Sequence, residues 1–185
     1  MAADETIRMH LANIKKQEGT LSMEMTALEK EKTAHIRELK RVACEDASRF
    51  NSKRLLGEDR YVLFSLLGKG GFSEVWKAFD LVELCEVAVK IHELDPRWSE
   101  SKKYNYSKHV SREYQIHHKV RHPRIVSLFN VFDIDDNSIA TVLECCEGTD
   151  LDTMLKQMKT IPERDSRAIL LQILSGMRYL ASPSQ

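Results

Sequence analysis

The chain has 185 residues, with 28 Lys and Arg balanced by 28 Asp and Glu, 42% apolar residues and 30% charged ones. That length holds about one to one-and-a-half ordinary domains, and zero net charge gives no reason to expect direct binding to nucleic acid or a membrane surface. No apolar run approaches the ~20 residues of a membrane span, and the N-terminus lacks the apolar core of a secretory signal. The four cysteines (Cys44, Cys85, Cys145, Cys146) show no metal-ligand spacing and read as reduced thiols of an intracellular protein.

Residues 5–50 contain no proline and one glycine, and are rich in Glu, Lys, Met and Leu. Ile7, Leu11, Ile14, Leu21, Met25, Leu28, Leu39 and Val42 recur at alternating steps of four and three, and the same register places Glu18, Lys32 and His35 on the seam. This spacing predicts a coiled-coil helix over 5–50 with polar interruptions that set register and partner number, and dimerisation as its task. A solvated single helix is the plainer alternative. The polar stretch 51–60 breaks the pattern and reads as a linker.

Three strands follow. Residues 61–67 (YVLFSLL) are apolar, whereas 74–79 (EVWKAF) and 85–91 (CEVAVKI) alternate apolar with polar. Between the first two stand Gly68, Gly70 and Gly71. Without a Cβ, glycine lets the backbone turn tightly and brings N–H groups close to an anion, of which phosphate is the usual one. Lys90 then supplies a positive charge from an extended strand.

Val75 follows Gly68 by seven residues, and Ala88-Val89-Lys90 reproduces a strand-lysine motif. On these residues the stretch 67–90 resembles the ATP-binding lobe of a eukaryotic protein kinase. It departs from G-x-G-x-x-G at one position, where Ser73 replaces the third glycine. The resemblance implies that Gly68, Lys69, Gly70, Gly71, Phe72 and Ser73 cover the phosphates. Leu67, Val75 and Ala88 would cover the adenine ring.

Further along, residues 95–105 read as a polar, Lys- and Tyr-rich connection, and 107–120 (SKHVSREYQIHHKV) as a helix carrying Glu113. Most helical glutamates are surface carboxylates. The kinase resemblance instead implies a Lys90–Glu113 ion pair that aims the ammonium at the α- and β-phosphates. Strands at 125–133 and 138–144 flank the acidic turn Asp135-Asp136-Asn137. That turn imitates a calcium loop, but Ser138 stands where glycine is needed and strands flank it, so no metal is expected.

Glu144-Cys145-Cys146-Glu147-Gly148 matches a kinase hinge. The resemblance gives Glu144 a carbonyl and Cys146 an N–H for adenine, makes Leu143 the gatekeeper, and places Asp150 at the ribose. Helices are expected at 150–159 and from Pro162 to about residue 180.

The resemblance sharpens to the Tousled-like serine/threonine kinases at HIRELKR (35–41), EDASRF (45–50), GKGGFSEVWKAFDL (68–81), REYQIHHKVRHPRIV (112–126) and VLECCEGTDLD (142–152). It covers essentially residues 5–180. It implies an α+β fold: a kinase small lobe of five antiparallel strands and one long helix (61–149), then the start of the helical large lobe (150–185), all after the coiled-coil helix. It further implies ATP with Mg²⁺, phosphoryl transfer to protein Ser/Thr, nuclear location, and substrates such as histone chaperones. Homodimers, or heterodimers with related kinases, would form through 5–50.

One part of the family pattern is missing. After Tyr179-Leu180 the family continues into a catalytic loop, whereas these residues run ASPSQ, with no H-R-D, D-F-G or A-P-E sequence. Mg²⁺ is held by the Asp and Asn of those motifs, and the acceptor hydroxyl is oriented by the base Asp. The expectation is therefore an inactive kinase as written, or a dimerising, regulatory form that acts through its coiled coil. The apolar face of the last helix, including Ile169, Leu170, Ile173, Leu174 and Met177, is expected to lie exposed.

Overall fold

Strand alternation dictates the centre of the fold. In 73–80 every second side chain is buried: Glu74, Trp76, Ala78 and Asp80 point to one face, and Ser73, Val75, Lys77 and Phe79 to the other. The computed structural model describes residues 2–182, with side chains from residue 5 onward. The elements are α1 (Ala2–Asp46), β1 (Leu55–Leu56), β2 (Tyr61–Lys69), β3 (Ser73–Asp80), β4 (Cys85–Glu93), α2 (Glu100–His117), β5 (Leu128–Asp135), β6 (Ser138–Glu144), α3 (Leu151–Met158) and α4 (Glu163–Ala181). Two compact units divide between Val42 and Ala43.

The first unit is helical. Its Thr20, Thr26 and Thr33 hydroxyls donate to the carbonyls four residues back, at 3.0, 2.9 and 2.8 Å, which satisfies these otherwise weak helix formers. The seam residues Ile7, Leu11, Ile14, Leu21, Met25 and Leu28 are each more than half exposed.

The second unit is built on an antiparallel sheet in the order β1-β2-β3-β4-β6-β5. It has six strands where five were expected, because the short β1 adds to β2. The stretch 51–60 is therefore part of the fold and not a linker: Leu56 is 3% exposed, and the Arg54 guanidinium donates to Phe64 O at 2.6 Å and to Glu45 at 3.2 Å. Its polar composition hides the two side chains that matter, Leu56 and the neighbouring Phe50, which is 2% exposed.

The β1–β2 hairpin turns through Gly57, Glu58 and Asp59, all at positive φ (62°, 54° and 66°). A Cβ on Gly57 would meet the Tyr61 ring at 2.8 Å and the Phe132 ring at 3.1 Å, so the position accepts no side chain. Those two rings stack at 5.5 Å, and Asn130 donates to the Tyr61 hydroxyl at 3.0 Å. Sheet curvature thus brings β5 back toward β2.

One face of the sheet holds the core: Leu63, Leu66, Trp76, Ala78, Val87, Val89, Ile91, Ala140 and Val142, with Phe50 and Leu56 from the preceding segment. Asp80 is buried at its edge, where it takes two bonds from the Arg60 guanidinium at 2.9 and 2.8 Å.

Helix α2 begins seven residues earlier than the sequence predicts. Ser99 caps it by accepting Lys102 N–H, and Glu100 stands in its first turn. Residues 100–105 of the stretch read as a connection are part of its first two turns, while 95–99 precede the helix. Among the described residues, Val110 is its buried side chain.

Helix α4 meets residues 121–125 along a narrow strip. Gly176 is buried with room for a Cβ only at 3.4 Å from Ile125, and the Tyr179 hydroxyl accepts Arg121 N–H at 3.1 Å. Leu170, Leu171, Ile173, Leu174, Met177 and Leu180 are 47–61% exposed, whereas Ile169, expected to be exposed with them, is half-buried.

Candidate functional site

The face opposite the core is assembled by register. Val75 pairs with Lys90 and Lys90 with Thr141; Lys77 pairs with Ala88 and Ala88 with Leu143. Directly opposed residues point to the same side of a sheet, so Val75, Ala88, Lys90 and Leu143 share one surface. Gly68 stands beside Val75 across a bulge that leaves Leu67 out of the ladder and 53% exposed. The turn that follows is closed by Gly70 N–H donating to Ser73 O at 2.7 Å. Gly68, Gly70 and Gly71 are exposed.

The tip of this turn is held by aromatic rings. The Phe72 ring lies 5.4 Å from that of Trp98, which lies 5.8 Å from Tyr106, and the Lys102 ammonium sits 3.9 Å over the Trp98 ring. Phe72 O accepts Glu93 N–H at 3.0 Å.

Lys90 and Glu113 line one cavity of about 50 Å³, together with His92, Tyr114, Thr141 and Leu143. The helix brings the glutamate to the lysine's side of the sheet, but among the described residues no ion pair within 4.0 Å joins them. Glu113 is exposed, and α2 rests on the sheet mainly through Val110. His92 stands between them in charge terms. Burial, reinforced by the Lys90 ammonium, pushes its pKa down against the opposing pull of Glu113. Its Nδ1 lies 2.9 Å from the Tyr106 hydroxyl, whose own pKa is raised by burial and by Glu113.

Two residues named from the resemblance have other partners. Lys69 turns to the core side, where its ammonium meets Glu74 at 2.6 Å. Burial pushes the Glu74 carboxyl up, but the Lys69 ammonium, the Ser48 hydroxyl and the Trp76 indole outweigh it and hold the carboxyl below its ordinary value. Asp150 caps α3, accepting Thr153 N–H at 2.7 Å and the Thr153 hydroxyl at 2.9 Å.

At the expected hinge, Glu144 N–H donates to Ser127 O at 2.9 Å and its carboxylate accepts Ser127 N–H at 3.0 Å. This tie fixes the end of β6, from which Cys145 and Cys146 continue as irregular chain. Cys146 is exposed, while burial raises the Cys145 thiol. Cys146, Glu144 and Leu151 also line a cleft of about 550 Å³ whose far side is Ile169 and Ile173 of α4.

Sequence reasoning missed His92, Trp98 and Tyr106. Only His92 carried a signal, since it lies two residues beyond Lys90 and therefore on the same side of the strand. Among the described residues, no group of three or more His, Cys, Asp or Glu side chains is placed to hold a metal ion.

Comparison with known proteins agrees with this geometry. Residues 61–184 match the protein kinase domain family. The chain is 50% identical over 177 residues to human serine/threonine-protein kinase tousled-like 2, covering 96% of this chain and 23% of that protein. It is 49% identical over 181 residues to tousled-like 1 of Caenorhabditis elegans, covering 98% and 19%. It is 46% identical over 182 residues to TOUSLED of Arabidopsis thaliana, covering 98% and 26%. The chain thus spans about a quarter or less of the length of these curated relatives. The family model matches residues 61–184, and the relatives are 46–50% identical over nearly all of the chain, so the chain belongs to the protein kinase family, as a relative of the tousled-like serine/threonine kinases.

Proposed function

We propose that these residues form the nucleotide-binding part of a tousled-like serine/threonine kinase. The observation that carries this reading is the row Gly68, Val75, Lys90 beside Ala88 and Leu143 on one side of the sheet. Val75, Ala88, Leu67 and Leu143 offer an apolar slot for adenine, with Glu144 and Cys146 as backbone partners. The turn from Gly68 to Ser73 offers N–H groups to phosphate, and Lys90 offers the matching charge. In the full-length family member the bound ATP transfers its γ-phosphoryl group to protein Ser or Thr, in the nucleus, on substrates such as histone chaperones. Within the 185 residues, which contain no H-R-D or D-F-G sequence, the part of this reaction that the residues supply is the nucleotide site.

Binding of a fluorescent ATP analogue to the 185-residue chain tests this. Lys90→Met removes a charge-assisted contact worth ~1.5–3 kcal/mol, so the analogue binds roughly tenfold to a hundredfold more weakly. An unaltered chain that ignores the analogue, or a Lys90→Met variant that binds equally well, would refute the proposal.

A second reading concerns residues 5–50 and rests on the exposed seam of α1. Leu21 and Leu28 are 59% and 63% exposed on one heptad stripe, the arrangement that a partner helix covers in a coiled coil. Light scattering on the 185-residue chain is expected to give a dimer. Introducing Leu21→Glu and Leu28→Glu together yields monomer with the thermal transition of 43–182 unmoved. A monomer at high micromolar concentration before substitution would end this reading.

A further inference from the structure

The hairpin that carries the glycine-rich turn is gripped from the face away from the cleft. Two side chains of the segment after Val42 do the gripping. Glu45 accepts Leu66 N–H at 3.1 Å, next to the bulge between Leu66 and Gly68, where the ladder cannot supply a partner. Ser48, itself 7% exposed, donates its hydroxyl to Glu74 Oε2 at 2.6 Å. Phe50, buried in the core, keeps this segment in place.

Glu74 is the junction. It is 2% exposed, a burial that a carboxylate tolerates only with partners. It has three: the Ser48 hydroxyl, the Trp76 indole N–H at 3.1 Å, and the Lys69 ammonium at 2.6 Å. Lys69 is its cross-strand partner, and only Gly70, Gly71, Phe72 and Ser73 separate the two along the chain. The ion pair therefore clamps the turn at its base, and Glu45 steadies β2 a few residues before it.

A turn with glycines at 68, 70 and 71 has wide conformational freedom, and ordering it around an anion costs entropy. Fixing its ends beforehand reduces what remains to be ordered when phosphate arrives. We propose that Ser48, Glu74 and Lys69 are positioning residues for the nucleotide: they set the spacing of the turn's N–H groups from the opposite face of the sheet. This rests on the nucleotide-binding reading above. It also reassigns Lys69, which the kinase resemblance placed among the residues that touch ATP.

The test is a double-mutant cycle in the 185-residue chain, read as affinity for a fluorescent ATP analogue and as hydrogen exchange at Gly70 N–H. Lys69→Met and Glu74→Gln each weaken the analogue about three- to tenfold and speed exchange at Gly70. The double variant is no weaker than either single one, because both remove the same clamp. Lys69→Arg keeps the unaltered affinity, and Ser48→Ala gives a smaller loss in the same direction. If Lys69 instead touches the phosphates itself, the two losses multiply, and the proposal is overturned. Unchanged affinity in both single variants overturns it as well. Should Glu74→Gln fail to fold, Lys69→Met against Lys69→Arg still decides, since a clamp role requires faster exchange at Gly70 in the first only. Absence of binding by the unaltered chain overturns the nucleotide reading and this one together, whereas binding lost in Lys90→Met with additive losses in the cycle removes this one alone.

Discussion

The two faces of the same sheet follow different rules. The face bearing Trp76, Val89, Ile91 and Val142 is sealed, with each of those side chains fully buried and the polar Glu74 and Asp80 held by ionic partners. The face bearing Val75, Lys90 and Leu143 is only half-buried, and α2 covers it through Val110. Close packing supplies stability on the first, while an open, charged surface on the second leaves room for a ligand. The difference teaches that neighbours in sequence can have unrelated roles.

Substitutions on adjacent residues test that contrast most sharply. Trp76→Ala empties the centre of the sealed face and is expected to cost about 3–5 kcal/mol, the range for a large aromatic in a core. Val75→Ala, one residue away on the open face, is expected to cost on the order of 1 kcal/mol, from two methyl groups that are only half-buried. Urea unfolding measures both. Comparable losses would show that the two faces are not distinct.

Acid provides a finer probe of the sealed face. The Arg60 guanidinium holds the Asp80 carboxyl below its ordinary value, with Val82 and Glu83 N–H groups adding to the effect against burial. A carboxyl depressed in the folded state stabilises fully above its unfolded value of about 3.9, and that contribution fades as pH falls through the lower folded value. Asp80→Asn should therefore lower the Tm at pH 7, and the gap to the unaltered chain should shrink below about pH 4. A gap that is constant with pH would mean that the ion pair is not what Asp80 contributes.

How much of this was legible beforehand differs between the faces. The open face was readable because its residues carry chemistry: glycines at fixed offsets, a lysine at the end of an alternating strand, and Glu113 at helical distance. The strand 138–144 was read to its ends, and β2 to β5, α3 and α4 within a few residues. The sealed face was less readable. Glu74 opens an alternating run, and nothing local says that a carboxylate there is buried. Its partners Ser48 and Lys69 are 26 and five residues away. Leu55 and Leu56 stand alone in the polar stretch 51–60, so it looked like a linker, and Phe50 was read as the end of a coiled-coil helix that in fact stops at Asp46. Helix α2 was cut short because its first two turns, ESKKYNY, have no apolar periodicity, and rings from Trp98 and Phe72 support them from outside the helix. Long-range partners of this kind leave no periodic trace.

The strict alternation of β3 also determines where the chain tolerates a change in length. Adding or deleting one residue between Ser73 and Asp80 would exchange the two sets, placing Trp76 in the cleft and Val75 in the core. The next four residues, Leu81 to Leu84, form an exposed turn that belongs to neither set, so an extra residue there would leave both faces intact. Insertions in this hairpin should therefore be confined to its solvent end, with the eight residues of β3 behaving as one indivisible word.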